Sequence, residues 1–179
     1  MGIKKIFLEG HSTGCQKVAY YQYKKKDSSI KGIILAAPCD DYNIQRSKLG
    51  KKFNSTVKLA KALYKKDKLA QMPHWYVKRS FGAGRFLSFS DLKNVESRLF
   101  NYDSAKLKEF STIKQPILAI FGTKDEHILK PAIEYMKILE RDTESKKFDY
   151  SLIKDTNHGF DKKGNQISEI MIKWLKEIR

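Results

Sequence analysis

The stretch Ile6-Phe7-Leu8-Glu9-Gly10-His11-Ser12-Thr13-Gly14-Cys15 decides the fold. A short apolar run rich in Ile and Leu reads as a strand, and the residues after Ser12 read as a helix. The pentapeptide Gly10-His11-Ser12-Thr13-Gly14 is therefore a G-x-S-x-G turn between strand and helix, where a serine hydroxyl can be presented alone. So tight a turn forces Ser12 into a strained backbone conformation, and side chains at positions 10 and 14 are expected to collide with neighbouring backbone. The amide of Thr13, at the helix N-terminus, is placed to meet negative charge developing on a substrate oxygen.

Working outward, the runs Ile3–Leu8, Ile30–Ala37 and Pro116–Phe121 are short and bounded by Gly or Pro, as strands buried on both faces should be. Phe148, Tyr150 and Leu152 alternate with polar residues, which suits an edge strand. Helical spacing is clearest in Ile167, Ile170, Met171, Trp174, Leu175 and Ile178, and recurs from Pro131 through Ile133, Met136 and Leu139. Alternating strands and helices predict a three-layer αβα, mostly parallel sheet of about four strands. Residues 1–39 and 111–179 form this core, and 40–110, helical and without a convincing strand, is an insertion.

The chain has 179 residues, enough for one packed core, and carries 36 Lys or Arg against 20 Asp or Glu, a net charge of +16. Sixteen basic and seven acidic residues fall in the insertion. Lys outnumbers Arg about fivefold and is spread through every helix, which argues for a solvated surface rather than a nucleic-acid face. Lys58, Lys61, Lys65 and Lys68 share one helical face, opposite Leu59, Ala60 and Leu63. Trp75, Tyr76, Phe81, Phe86 and Phe89 read as packing within this lid or as lining for an apolar substrate. Cys15 and Cys39 lack the spacing of a zinc site or disulfide framework, so reduced thiols and a cytoplasmic location are expected, with no metal and no cofactor. No signal peptide or stable membrane insertion is expected from the start of the chain.

A serine hydroxyl needs a base, and the base needs a carboxylate to fix its tautomer. His158, in Asn157-His158-Gly159-Phe160 between the last strand and last helix, falls at the sheet edge where the elbow opens. Asp125, in Gly122-Thr123-Lys124-Asp125-Glu126 just past the third strand, falls at the same edge, with Glu126 and Asp155 in reserve. His11 is expected to pack or hydrogen-bond near the elbow, while His74 and His127 have no matching position.

The elbow, the Asp125 turn and the His158 loop, in the order Ser, Asp, His, resemble the α/β-hydrolase superfamily over nearly the whole chain, with the insertion where that superfamily carries its cap. Cys15-Gln16 and Tyr20-Tyr21 are also similar to a branch that includes hydrolases acting on siderophore esters. The resemblance implies hydrolysis of a small-molecule ester, thioester or amide through an acyl-enzyme on Ser12. Ser in place of Asp at the nucleophile argues against the dehalogenase and epoxide-hydrolase branches. In the resembled fold, on the order of a hundred residues precede the elbow. Ser12 so near the start suggests a truncated reading frame, half of a split protein or a fragment. The fold's second oxyanion amide would then be missing, leaving activity impaired or dependent on a partner. The open first strand would offer an edge to a second copy or a complementing N-terminal half, and a non-catalytic binding module is the competing reading. Anion binding through the Lys-rich insertion is a further alternative, and it requires steep salt dependence.

Overall fold

The computed structural model describes residues 5–67, 69–74, 77 and 81–178. Ile3 of the expected first strand, Lys68 of the lysine face, and Trp75 and Tyr76 of the aromatic group lie outside the described residues. Four parallel strands, β1 (Ile6–His11), β2 (Ile30–Ala36), β3 (Ile117–Gly122) and β4 (Phe148–Ile153), are ordered β1-β2-β3-β4. Every residue of β3 is buried, and so is all of β2 but Lys31, because both strands have neighbours on each side and helices over each face. At the edges, Ile6 is 40% exposed on β1 and Tyr150 is 41% exposed on β4.

Helix α1 (Thr13–Lys25) links β1 to β2 and α7 (Ala132–Asp142) links β3 to β4. Since the strands advance in one direction, right-handed crossovers put both helices on the same face. Helix α8 (Gly164–Glu177) returns across the other face, where Trp174 meets Phe7 edge to face and its indole N–H donates to Asp149 Oδ2 at 2.9 Å. Gly32 makes that packing fit, because a Cβ there would lie 2.8 Å from the Trp174 ring. Trp174 alone is fully buried in α8, and the rest of its apolar stripe is half-buried against the core.

Local chemistry sets the helix ends. Lys24 and Lys25 meet the negative end of α1, and Lys26 closes it in the left-handed region at φ 48°. Asp40 caps α2 (Asp41–Leu49) by accepting the Asn43 amide at 2.9 Å. The segment 40–110 holds α2, α3 (Phe53–Lys66), α4 (Ala83–Ser90), α5 (Val95–Leu99) and α6 (Lys108–Ser111). Its only strand pairing among the described residues is an isolated bridge between Gln71 and Gly82.

Phe86 and Phe89 are buried with Ala60, Met72, Val77, Ala83 and Leu87 in a second, smaller cluster, with Phe81 packed against it. Leu99, Phe100, Tyr102, Leu107 and Phe110 instead join the main core around the sheet. On α3, Lys58, Lys61 and Lys65 face solvent, and Lys61 pairs with Asp91 at 2.7 Å. Among the described residues, no helix is long and apolar enough to cross a membrane.

Candidate active site

Ser12 sits between β1 and α1 at φ 56° and ψ −125°, a conformation that costs a non-glycine residue roughly 1–3 kcal/mol. The surroundings enforce it. The Ser12 amide donates to the Ala36 carbonyl at 2.8 Å, and the Cys15 amide donates to the Ser12 carbonyl at 2.9 Å. Beneath the turn, the buried Cys15 thiol lies 3.0 Å from the Gly10 carbonyl and 3.2 Å from that of Ala36. Although Ser12 holds the cap position of α1, its side chain makes no capping hydrogen bond. The hydroxyl is thus not spent on capping and points instead to the Cys39 sulfur, and the Thr13 amide opens the first helical turn, where amides have no partner within the helix.

The two elbow glycines differ. A Cβ on Gly10 would stand 2.5 Å from the Gly14 carbonyl carbon and oxygen, as the tight turn requires. The expected collision at Gly14 is not found, since a Cβ there meets nothing within 4 Å. The turn folds Gly14 onto Gly10 from one side only, so the crowding falls on Gly10. Gly10→Ala is therefore expected to lower stability by about 3 kcal/mol, as overpacking against backbone does, whereas Gly14→Ala should cost nothing or gain up to about 1 kcal/mol of helix propensity. Urea unfolding of the two variants checks the contrast.

At the same sheet edge, His158 Nδ1 lies 3.0 Å from Asp125 Oδ1 and 2.9 Å from Oδ2. The Asp125 side chain is fully buried and that of His158 nearly so. A buried carboxylate on Nδ1 holds the proton there and leaves Nε2 as the basic atom. Of the two reserve acids, Glu126 binds the loop rather than the ring, accepting the His158 backbone amide on Oε2 at 3.0 Å. That donor holds the Glu126 carboxyl below its ordinary value. The anchor is thus present above the usual Glu range and is lost only as pH falls through the lowered value. Asp155 stands apart in an exposed pairing with Lys124 at 2.9 Å.

His11 does what its position suggests: its Nε2 lies 2.8 Å from the His158 carbonyl oxygen and its ring packs near His158 and Phe160. Three features escaped the sequence reading. The His127 ring meets His158 edge to face at 4.6 Å, and its backbone amide donates to Asp125 Oδ1 at 2.8 Å. Burial first, and then His158, lower the His127 pKa, which favours the neutral ring. Cys39, just past β2, places Sγ 3.8 Å from Nδ1 and 3.9 Å from Nε2 of His158. Gly122, ending β3, lies so close to the His158 loop that a Cβ would stand 2.4 Å from the Thr156 carbonyl oxygen. A glycine closing a strand beside the Asp125 turn was the available signal for the last.

Among the described residues, no hydrogen bond joins the Ser12 hydroxyl to His158. Such bonds are often long before substrate binds, and the two groups share one edge of the sheet.

Parallel strands, the elbow at the carboxyl end of β1 and the Asp125 and His158 loops beyond β3 and β4 define an α/β-hydrolase fold. The chain belongs to the family described as "Protein of unknown function (DUF1749)", whose model matches residues 1–177. Among solved structures it is similar to a monoacylglycerol lipase from Paleococcus ferrophilus, at 23% identity and a TM-score of 0.63, covering 98% of this chain and 70% of that one. It is also similar to Est1E from Butyrivibrio proteoclasticus, at 18% identity and a TM-score of 0.61, covering 98% of this chain and 62% of that one. A soluble variant of monoglyceride lipase from Saccharomyces cerevisiae aligns at 17% identity and a TM-score of 0.61, covering 97% of this chain and 62% of that one. The chain thus spans roughly two thirds of these relatives' lengths. No curated protein matches it.

Proposed function

We propose that the chain carries the acyl-transfer centre of a serine hydrolase acting on a small-molecule ester or related acyl bond. The observation that carries the reading is the buried Asp125 carboxylate on His158 Nδ1, at 2.9 and 3.0 Å, on the sheet edge where Ser12 is held at φ 56°. His158 Nε2 takes the Ser12 proton as Oγ attacks the acyl carbon. The Thr13 amide donates to the oxygen that becomes anionic, and the proton then passes from Nε2 to the departing alcohol. Water, deprotonated by the same nitrogen, attacks the acyl-enzyme, and Nε2 returns that proton to Ser12 Oγ as the acyl–oxygen bond breaks and the acid leaves. The lipase and esterase names of the structural neighbours support this reaction class for the fold.

The test is covalent. A fluorophosphonate probe is expected to label the wild-type protein and to spare Ser12→Ala. Labelling that survives the substitution sinks the assignment, and so does failure to label with a complementing half supplied.

A second reading concerns completeness. The outer edge of β1 is unpaired among the described residues, and about a third of each of those neighbours' own chains lies outside the match. The edge suits an added strand from a complementing N-terminal half or from a second copy, and the added part would supply a second oxyanion amide. Loss of one such donor costs roughly 10²–10³ in turnover. Turnover rising by that factor on adding an N-terminal half supports this reading, and full activity of a sedimenting monomer opposes it.

A further inference from the structure

Two buried polar residues beside Ser12 take no part in the acyl-transfer steps. Gln16 lies one turn past Ser12 on α1 and is 2% exposed. Its Nε2 donates to the Cys39 carbonyl at 2.8 Å and to Asp41 Oδ2 at 2.8 Å, while its buried Oε1 has no partner among the described residues. An amide group half-satisfied in the interior is costly, so its place is held by the two bonds it does make.

Cys39, also 2% exposed, lies in a turn fastened at each residue. Ala37, at φ 52°, donates its amide to the Ile120 carbonyl at 2.7 Å, and the Pro38 carbonyl accepts the Tyr102 hydroxyl at 2.8 Å. Asp40 accepts the amides of Asn43 and Tyr102. From this fixed turn the Cys39 sulfur stands nearly equidistant from both His158 nitrogens. A sulfur so placed lies at the long end of hydrogen-bond reach from both ring nitrogens and favours neither, so it meets the imidazole as a body. Burial, reinforced by the charges of Asp41 and Asp125, pushes the thiol well above its ordinary value. It stays protonated and does not rival Ser12 as a nucleophile.

We propose that Gln16 and Cys39 are positioning residues, forming a strut from the nucleophile helix through the Cys39 carbonyl and sulfur to the His158 ring, which fixes how far the imidazole stands from Ser12. The proposal rests on Ser12 and His158 being nucleophile and base. These two residues come from opposite ends of the chain, and the strut ties the elbow helix to the loop that carries the base.

The experiment uses Gln16→Met, which removes the hydrogen bonds at similar volume, Cys39→Ala, and the double variant, with thermal melting to confirm that each folds. On a short-chain p-nitrophenyl ester, each single change is expected to lower kcat roughly tenfold with KM within about twofold, since small misplacements of a base are costly. The double variant should lose little more than either single, because one strut is broken once. Cys39→Ser, which keeps a small stop against the ring, should recover part of the loss.

Independently of turnover, the His158 Cε1–H proton resonance should shift in both single variants. Full kcat in the variants, losses that multiply in the double variant, or a His158 resonance unmoved by Cys39→Ala overturns the strut. Turnover that survives Ser12→Ala instead removes the acyl-enzyme reading beneath it, so the two failures are distinguishable. If Gln16→Met does not fold, the Cys39→Ala and Cys39→Ser pair decides through kcat and the resonance.

Discussion

Asp125→Asn is expected to lower ester turnover by about 10⁴-fold without unfolding the protein. Both carboxylate oxygens face His158 Nδ1, and the side chain is fully buried, so no water can take its place. An Asn amide would turn N–H groups toward that nitrogen and force the proton onto Nε2. The imidazole would then face Ser12 with a donor where a base is required. The Asn carbonyl can still accept the His127 amide that Asp125 Oδ1 accepts at 2.8 Å, so the turn should keep its shape. Measuring kcat beside a thermal melt separates chemistry from folding. A loss under tenfold in a folded variant would mean that Asp125 does not orient the base.

Gly122→Ala should cost about 10²-fold in turnover through a residue that touches no substrate. The added Cβ would lie 2.4 Å from the Thr156 carbonyl oxygen and 2.7 Å from that of Asn157, the two residues preceding His158. Those backbone atoms are held in place. The Lys124 amide donates to the Thr156 carbonyl at 2.9 Å, and the Asp155 amide donates to Thr123 Oγ1 at 2.9 Å. Relief therefore requires the whole loop to move, and a shift of about 1 Å at a base is enough for a loss of that size. Stability should fall too, by roughly 1–3 kcal/mol. A variant that keeps wild-type kcat would show that the loop can move without displacing the imidazole.

The elements that position the site were legible because each has a local cause. Buried parallel strands need unbroken apolar runs, which mark residues 32–36 within β2 and Ile117–Gly122, and a strand-to-helix turn leaves the G-x-S-x-G signature at Ser12. Asp125 and His158 were legible as loop residues just past successive strands, since parallel topology brings all such loops to one edge. Cys39 and His127 were not, because their contacts with His158 arise only when loops distant in sequence meet. Nothing in Pro38-Cys39-Asp40 distinguishes a sulfur against an imidazole from one in apolar packing. Gly14 misled for a related reason. Two glycines in one motif suggest two collisions, but which one is crowded depends on how the turn closes, and only Gly10 faces the backbone of Gly14 and Cys15.

The central claim is that acyl groups pass through Ser12. Rapid quenching of the protein with a short-chain p-nitrophenyl ester, and then peptide mass spectrometry, tests it most directly. The account predicts an acyl mass on the peptide containing Gly10–Gly14, formed in step with the burst of nitrophenol and absent from Ser12→Ala. An acyl mass on Cys39, whose sulfur also lies against His158, or steady hydrolysis by Ser12→Ala at the wild-type rate, would contradict it.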